Sequence, residues 1–447
     1  MLSPLPVPLL AGCRTPVAPR HGALRRHTPH TLAAPLVLHL LQTVGLPPEA
    51  VDTLILGNAL GAGGNPARMT ALAASLPQRC ATFSVDTQCC SGLDAINLAA
   101  ARILSGQSDV VIAGGAEAWT RSPIRQHRPM DATQAAIPYE RPAFTPWPER
   151  DPDPLQAAAD YAARHGFTRH QQDEYARDSH ARAVRTMVAR PACTPFAILP
   201  LEGLVHDAYP RLLSERQASR MPVAARAPTN THSLAASDPD CALSRLAISP
   251  QADGAALVLM ASAQFCARHG ITPAAHWLGG LSLGANPDNP LTGALAAAEA
   301  LLQRQRQRLD LDVLHAVELH DAFAVQGLAF QQALQSQGLD PAHINAWGGG
   351  LARGHPIGAS GAIALVELLA RLHATRPSPS ATSTTSDMPE RPEHSEIPAE
   401  PSSAPHPVRP DMLDTKTAST PRHSLLGLVC IAGVGGLGSA ALVAAHR

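Results

Sequence analysis

Over the first 120 residues, short apolar runs with strand composition alternate with stretches of helical periodicity. That alternation limits the fold more than any other feature. VDTLILGNAL, ATFSVDTQCC and DVVIAGGAEA read as strands, and ARMTALAASL and GLDAINLAAARIL as helices. Strands alternating with helices of this length predict a parallel α/β sheet with helices on its faces. Between residues 120 and 245 the rhythm gives way to Pro, Arg, Asp and His, with one amphipathic stretch around QQDEYARDSHARAVRTMV. An inserted, mostly helical and loop-rich subdomain is expected there. The α/β pattern resumes at ISPQADGAALVLMAS and runs to about residue 372.

Residues 374–424 hold ten prolines among many Ser, Thr and Ala. So little apolar surface cannot offset the entropy of ordering, which predicts a disordered insertion. Across it an internal repeat is visible. Ser91-Gly92, the helix AINLAAARIL and VVIAGG with Gly114 are matched by Ser360-Gly361, the helix AIALVELLARL and LVCIAG with Gly433. The spacings are 114 − 92 = 22 and 433 − 361 = 72 residues, and removing an insertion of roughly 50 residues makes them equal. Two related strand-helix-strand units follow, with Cys430 on the returning strand of the second.

The apolar run 425–445 is long enough to span a bilayer. Gly433, Gly435, Gly436 and Gly438 crowd six of its positions, however, which suits a loop better than a helix, and the repeat places the run in the sheet. LLAGC at 9–13 mimics a lipoprotein cleavage box, but no basic residue precedes it and Pro4, Pro6 and Pro8 interrupt the apolar stretch. No membrane insertion is expected. A net charge of −1 offers no electrostatic footprint for nucleic acid. Eight cysteines without a CxxC pair point to reduced thiols and a cytoplasmic setting, with no ligand spacing for a metal.

Four groups can carry chemistry. Cys89 and Cys90 lie between a strand and a helix start, where the helix macrodipole and free N–H groups lower a thiol pKa and can hold an oxyanion. His355 lies in the glycine-rich GGGLARGHPIGASGA, with room for a substrate and a possible role as general base. VELHDAFA ends an apolar strand on His320 and Asp321, the end of such strands where open α/β sheets bind ligands; Asp321 is alternatively a helix cap. Cys430 precedes GVGGLG, which matches G-x-G-x-x-G. The chain ends nine residues later, too soon for a dinucleotide site.

Taken in order, RTP (14–16), GNALGAGGNPAR (57–68), QCCSGLDA (88–95), AGGAEA (113–118), ISPQADGAALVL (248–259), HDAFA (320–324), GGGLARGHPIGASGA (348–362) and CIAGVGGLG (430–438) resemble the blocks of the thiolase family. The resemblance covers nearly the whole chain outside 374–424. It implies two related α/β halves in a five-layered αβαβα architecture with an inserted loop subdomain. On this reading residues 1–120 with 246–265 form the N-terminal half and 121–245 the insertion. Residues 266–447, interrupted by 374–424, form the C-terminal half.

The resemblance further implies an acyltransferase working on coenzyme A thioesters, with no permanently bound cofactor, as a homodimer or homotetramer. Cys89 would be the acyl-carrying nucleophile, Cys90 a small neighbour, and His355 the base for Cys89. Cys430 would exchange a proton with the carbon acid in thiolysis or condensation. One oxyanion hole would use His355 with a water held by His320. The other would use the Cys89 N–H and a backbone N–H after Cys430. Ser249 would lie near coenzyme A. The chain departs from the family in four places, one of them Leu155-Gln156 where the inserted subdomain usually has Met-Gly. Position 320 is more often Asn, with His in branches resembling sterol-carrier-protein thiolases; Ala247 replaces a usual Asn; and the loop after Cys430 is about two residues longer, which would move an oxyanion donor. A thiolase-like acyl-CoA or lipid-binding protein with little turnover is the alternative. A ketosynthase-like enzyme would place two histidines around Cys89, as His320 and His355 would; Cys430 and the GHP block favour the thiolase reading.

Overall fold

The computed structural model describes residues 6–61, 63–189, 195–228, 240–306, 314–375 and 424–446. The longer strands are β1 (Val7–Arg14), β2 (Thr53–Gly57), β3 (Ala81–Val85), β4 (Val110–Ala118), β5 (Ala252–Ala261), β6 (Ala275–Gly284), β7 (Leu314–His320), β8 (Ser424–Gly433) and β9 (Leu437–His446). They form one twisted array in the order β7-β8-β9-β6-β1-β5-β4-β2-β3. The two halves of the array meet where β1 pairs with β6 over Val7–Leu9. The three strands read from the first 120 residues, β2, β3 and β4, are mutually parallel as expected. The sheet as a whole is mixed. β5 runs antiparallel to both β1 and β4, and β9 antiparallel to both β8 and β6, with β8 and β9 joined as a hairpin.

Two helices lie between the halves: α3 (Ser91–Leu104) and α8 (Ser360–Ala374). Their apolar faces form one core with inward residues of both half-sheets, among them Ile55, Val258, Val429 and Val443. Outside, α1 (Pro29–Val44) and α2 (Pro66–Ala73) cover β1 to β5. On the opposite face, α6 (Gly293–Gln305) and α7 (Ala324–Ser336) cover β6 to β9. The layers therefore run αβαβα, the architecture expected. Helix α8 is buried nearly all round, so apolar residues occupy most of its circumference, with Glu367 and Arg371 as its buried charges. With the turn before it, it makes Ile357–Ala374 the described helix that is long and apolar enough to cross a membrane, although most of it is core.

The contact between α3 and α8 depends on small residues. A Cβ on Gly92 would lie 2.8 Å from the Gly358 carbonyl oxygen, and one on Gly361 would lie 2.8 Å from Leu93 Cβ. The Ser-Gly pairs of the sequence repeat are thus the points where the two central helices touch. Their N-terminal ends, just after Cys89 and His355, are thereby brought together.

The apolar run 425–445 forms β8, a turn and β9, buried between helical layers. Gly435 and Gly436, at φ +75° and +79°, make the turn that a helix would have refused. LLAGC lies in the buried strand β1. The region after residue 120 contributes α4 (Pro154–His165), α5 (Arg169–Ala189) and short hairpins and turns. The Pro-rich stretch expected to be disordered falls, apart from its first two residues and its last, outside the described residues.

On α5, His180 is fully buried beside Tyr209, and neither ring nitrogen has a hydrogen-bond partner among the described residues. Burial, with Arg211 nearby, holds its pKa down to about 4. As pH falls from 6.5 towards 4, the unfolded chain protonates this histidine and the folded chain does not, so its contribution to stability is lost across that window. Glu117 and Asp321, raised by burial, act with the opposite sign over overlapping pH. A difference measurement isolates the histidine. Relative to His180→Phe, the wild-type protein should lose roughly 3 kcal/mol between pH 6.5 and 4 in denaturant unfolding.

Candidate active site

Strand β3 ends at Val85 and the chain turns through Asp86–Gln88 before α3 begins. The Asp86 carboxylate accepts the Gln88 N–H at 2.9 Å, and Gln88 takes a left-handed φ of +55°. Cys90 is the N-cap, so Cys89 sits immediately before the helix, 7 % exposed on the floor of a cavity. Cys90 points away from it, 1 % exposed, with its thiol against the Ile431 carbonyl at 3.7 Å. The double cysteine therefore separates as expected, into one cavity-facing thiol and one packing residue.

The Cys89 Sγ lies 3.3 Å from His355 Nε2. On the far side of the ring, Nδ1 is 2.8 Å from Ser360 Oγ, whose hydroxyl is placed to donate to the Pro356 carbonyl at 3.1 Å. With that hydrogen committed, Nδ1 carries the ring proton and donates to Ser360, leaving the Nε2 lone pair facing the thiol. Ser360 is a positioning residue that the sequence reading passed over, although it lies five residues after His355 in the same block. Ser360→Ala should lower kcat by about 10- to 100-fold with KM little changed, measured as steady-state acyl transfer, because the imidazole loses the contact that sets its tautomer.

Burial governs the protonation states. It pushes the Cys89 thiol up to about 12, against the opposing pull of the Val434 and Cys89 backbone N–H groups. The lowering expected before the helix start survives in the Cys89 N–H, joined by Val434 N–H from the β8–β9 turn, but both are outweighed by desolvation. Burial likewise holds His355 down to about 4. The resting pair is a neutral thiol beside a neutral imidazole, so the thiol proton moves to Nε2 as attack proceeds.

The loop carrying His355 is pinned from several directions. Its N–H donates to Pro250 O at 2.7 Å, and its carbonyl accepts Trp119 Nε1 at 2.9 Å. Glu117, fully buried, accepts from Asn58 Nδ2, Ala59 N and Gly358 N at 2.6–3.0 Å, and burial raises it to about 7. It ties the GNAL loop to the GHP loop, a role with no period or motif to announce it.

His320 ends β7 as expected. Its ring stacks on that of His355 with centroids 4.4 Å apart, and its buried Nε2 has no hydrogen-bond partner among the described residues. Burial, followed by His355 and Arg353, lowers its pKa. Asp321 does cap a helix, though not the one that follows it. Its carboxylate accepts the Gly350 and Leu351 N–H groups that open the short helix Gly350–Arg353, and the Tyr175 hydroxyl at 2.9 Å. Ser249 lines the cavity and donates its hydroxyl to Gly350 O at 2.6 Å.

Cys430 is the candidate that the structure does not bring to the site. Along β8, Val429 and Ile431 face the central helices, while Leu428 and Cys430 face the outer core of α6 and α7. Cys430 is 0 % exposed, burial raises its pKa far above the ordinary range, and its thiol is directed at Glu318 O, 4.0 Å away. Two residues on, Ala432 reaches the cavity wall with Gly433 and Val434. The two extra residues in the loop correspond to one full pleat: they leave the sulfur about 7 Å down the strand from the rim.

The cavity encloses about 330 Å³ and is walled mainly by apolar side chains, including Leu60, Phe144, Ile248, Phe323 and Ile357. No cluster of three His, Cys, Asp or Glu among the described residues is arranged to hold a metal.

Family models for the thiolase N-terminal domain and the thiolase C-terminal domain match residues 7–264 and 271–385. VraB of Staphylococcus haemolyticus, named provisionally as an acetyl-CoA C-acetyltransferase, is 32 % identical over 358 residues, covering 80 % of this chain and 90 % of its own. VraB of Staphylococcus aureus strain MRSA252 is 30 % identical over 359 residues, with 79 % and 90 % covered. Among solved structures, the Bacillus anthracis acetyl-CoA acetyltransferase superposes with a TM-score of 0.75 at 25 % identity, covering 99 % of each chain. The Acat5 thiolase from Ascaris suum in complex with coenzyme A gives 0.76 at 24 % identity, covering 99 % and 100 %, a likeness of fold.

Proposed function

The chain belongs to the thiolase family, and on that premise we propose that it transfers acyl groups from coenzyme A thioesters through a thioester on Cys89. The observation that carries the reading is the 3.3 Å approach of Cys89 Sγ to His355 Nε2 on the floor of an apolar cavity. As Sγ attacks the acyl carbon, its proton passes to His355. The Cys89 and Val434 N–H groups, both directed at this sulfur, are placed to hold the carbonyl oxygen as it becomes an oxyanion. His355 then protonates the departing coenzyme A sulfur. Ser249 on the wall is positioned to meet the pantetheine arm. Coenzyme A and acyl-CoA enter this scheme as substrates, and no resident cofactor is required.

Two further expectations belong to the same proposal. Edge strand β3 presents one open side, with Phe83 44 % exposed, and supports a homo-oligomer formed across that edge. Light scattering should give a mass of at least a dimer. The sparse cysteines, with no CxxC pair or scaffold spacing, support a reducing, cytoplasmic setting.

Incubation with acetyl-CoA followed by peptide mass spectrometry should find one acetyl group on Cys89. A chain that binds acyl-CoA yet never carries acyl there would be a thiolase-fold binding protein.

A further inference from the structure

Forming or cleaving a carbon–carbon bond beside a thioester needs more than the Cys89–His355 pair. A second proton carrier must act on the α-carbon from another side of the substrate. The thiol expected in that role is withdrawn: Cys430 is buried in the outer core, one pleat below the rim. Its place on the wall is taken by Ala432, whose methyl has no transferable proton and no lone pair to accept one. Among the described residues no neighbouring group replaces it. His355 is engaged with Cys89 and Ser360, and His320 is stacked behind His355 and off the cavity wall. Glu140, the carboxylate on the wall, is exposed to solvent, unlike the buried Cys89 and His355 pair.

We infer that this chain exchanges acyl groups between pantetheine thiols and does not make or break the carbon–carbon bond. The inference rests on the Cys89 thioester proposed above. In the first step the Cys89 S–C bond forms as the acyl–S bond of the donor thioester breaks, and the Cys89 proton travels by way of His355 to the released thiol. In the second step an incoming pantetheine thiol gives its proton to His355 and attacks the acyl carbon, and Cys89 leaves with that proton restored. One thioester and one thiol enter, and one of each departs. No oxidant, metal or carbanion is involved. The apolar wall keeps water from the intermediate, so the acyl group waits for a thiol.

The test compares three readouts on the full chain: acetyl on Cys89, incorporation of labelled coenzyme A into acetyl-CoA, and cleavage of acetoacetyl-CoA by coenzyme A. Exchange should exceed cleavage by about a hundredfold or more, the scale of a missing general base. Ala432→Cys, which places a thiol on the wall, should raise cleavage by about tenfold or more over wild type. Wild-type cleavage at a rate comparable with exchange overturns the inference while leaving the Cys89 thioester in place. In that event Cys430→Ser reports whether the buried thiol is the base after all. Absence of acetyl on Cys89 removes the proposed function and this inference together.

Discussion

Cys89→Ser should abolish acyl transfer, whereas Cys90→Ser should leave it within a few-fold of wild type. The asymmetry follows from where each sulfur points. Cys89 faces the cavity with His355 at 3.3 Å and two backbone N–H groups aimed at it. A serine hydroxyl there is a far weaker nucleophile, and the base beside it is a neutral imidazole held down to about 4. A loss of at least about 10³-fold is expected, with no acyl group detected at position 89. At position 90 the side chain is 1 % exposed against the Ile431 carbonyl. A serine hydroxyl can donate to that same carbonyl, so the buried polar atom is satisfied and the volume changes little. Intact-protein mass spectrometry after acetyl-CoA, with initial rates for both variants, decides the matter. Equal losses in the two variants would mean that the pair acts as a unit and that the geometry has been misread.

The second large effect is expected at Glu318, in the middle of a buried charge network. Its carboxylate accepts Arg353 Nη2 at 3.2 Å and a very close Arg371 Nη1. Arg14 binds Asp207 at 2.6 Å and Glu367 at 2.7 Å, and Glu367 lies 3.9 Å from Arg353. Three guanidiniums face three carboxylates, all nearly inaccessible, so the cluster is neutral as a whole. Glu318→Gln keeps the shape and removes one negative charge, leaving Arg353 and Arg371 short of a partner inside the protein. Stranding a buried charge in this way costs about 3–5 kcal/mol. Chemical denaturation should show that loss with an unchanged m-value. Activity should fall as well, since Glu318 is two residues from His320 and Arg353 two residues from His355. A loss below about 1 kcal/mol would mean that solvent reaches the cluster.

Much of this was legible in the residues alone, for identifiable reasons. Strand and helix alternate with different periods, so β2, β3, β4, α2, α3 and α8 are visible without any contact information. Cys89 and Cys90 are visible as a candidate pair because a thiol before a helix start is a local arrangement, and the resemblance to the thiolase family is what singles out Cys89. His355 is visible because its neighbours are glycines. β1 was passed over: its eight residues are buried throughout, and nothing in a short apolar run beside three prolines marks it as a strand joining two half-sheets. Glu117 and Ser360 were passed over because their partners, the GNAL loop and one ring nitrogen, become neighbours only when α3 and α8 pack together.

Cys430 marks the boundary most sharply. Its strand, its place in the repeat and its neighbours were all readable. Which pleat reaches the cavity was not, since that depends on the register of the β8–β9 hairpin, where Gly433 pairs with Leu437 around a three-residue turn. Local chemistry and periodicity thus determined the alternation of strand and helix and the candidate groups at Cys89, Cys90 and His355, while the layered order and the pairing of Cys89 with His355, 266 residues apart, were implied by the family resemblance. Only the tertiary structure decided which side chain completes the cavity wall. A two-residue offset leaves the hydrophobic pattern of a strand unchanged while moving every side chain by a full pleat.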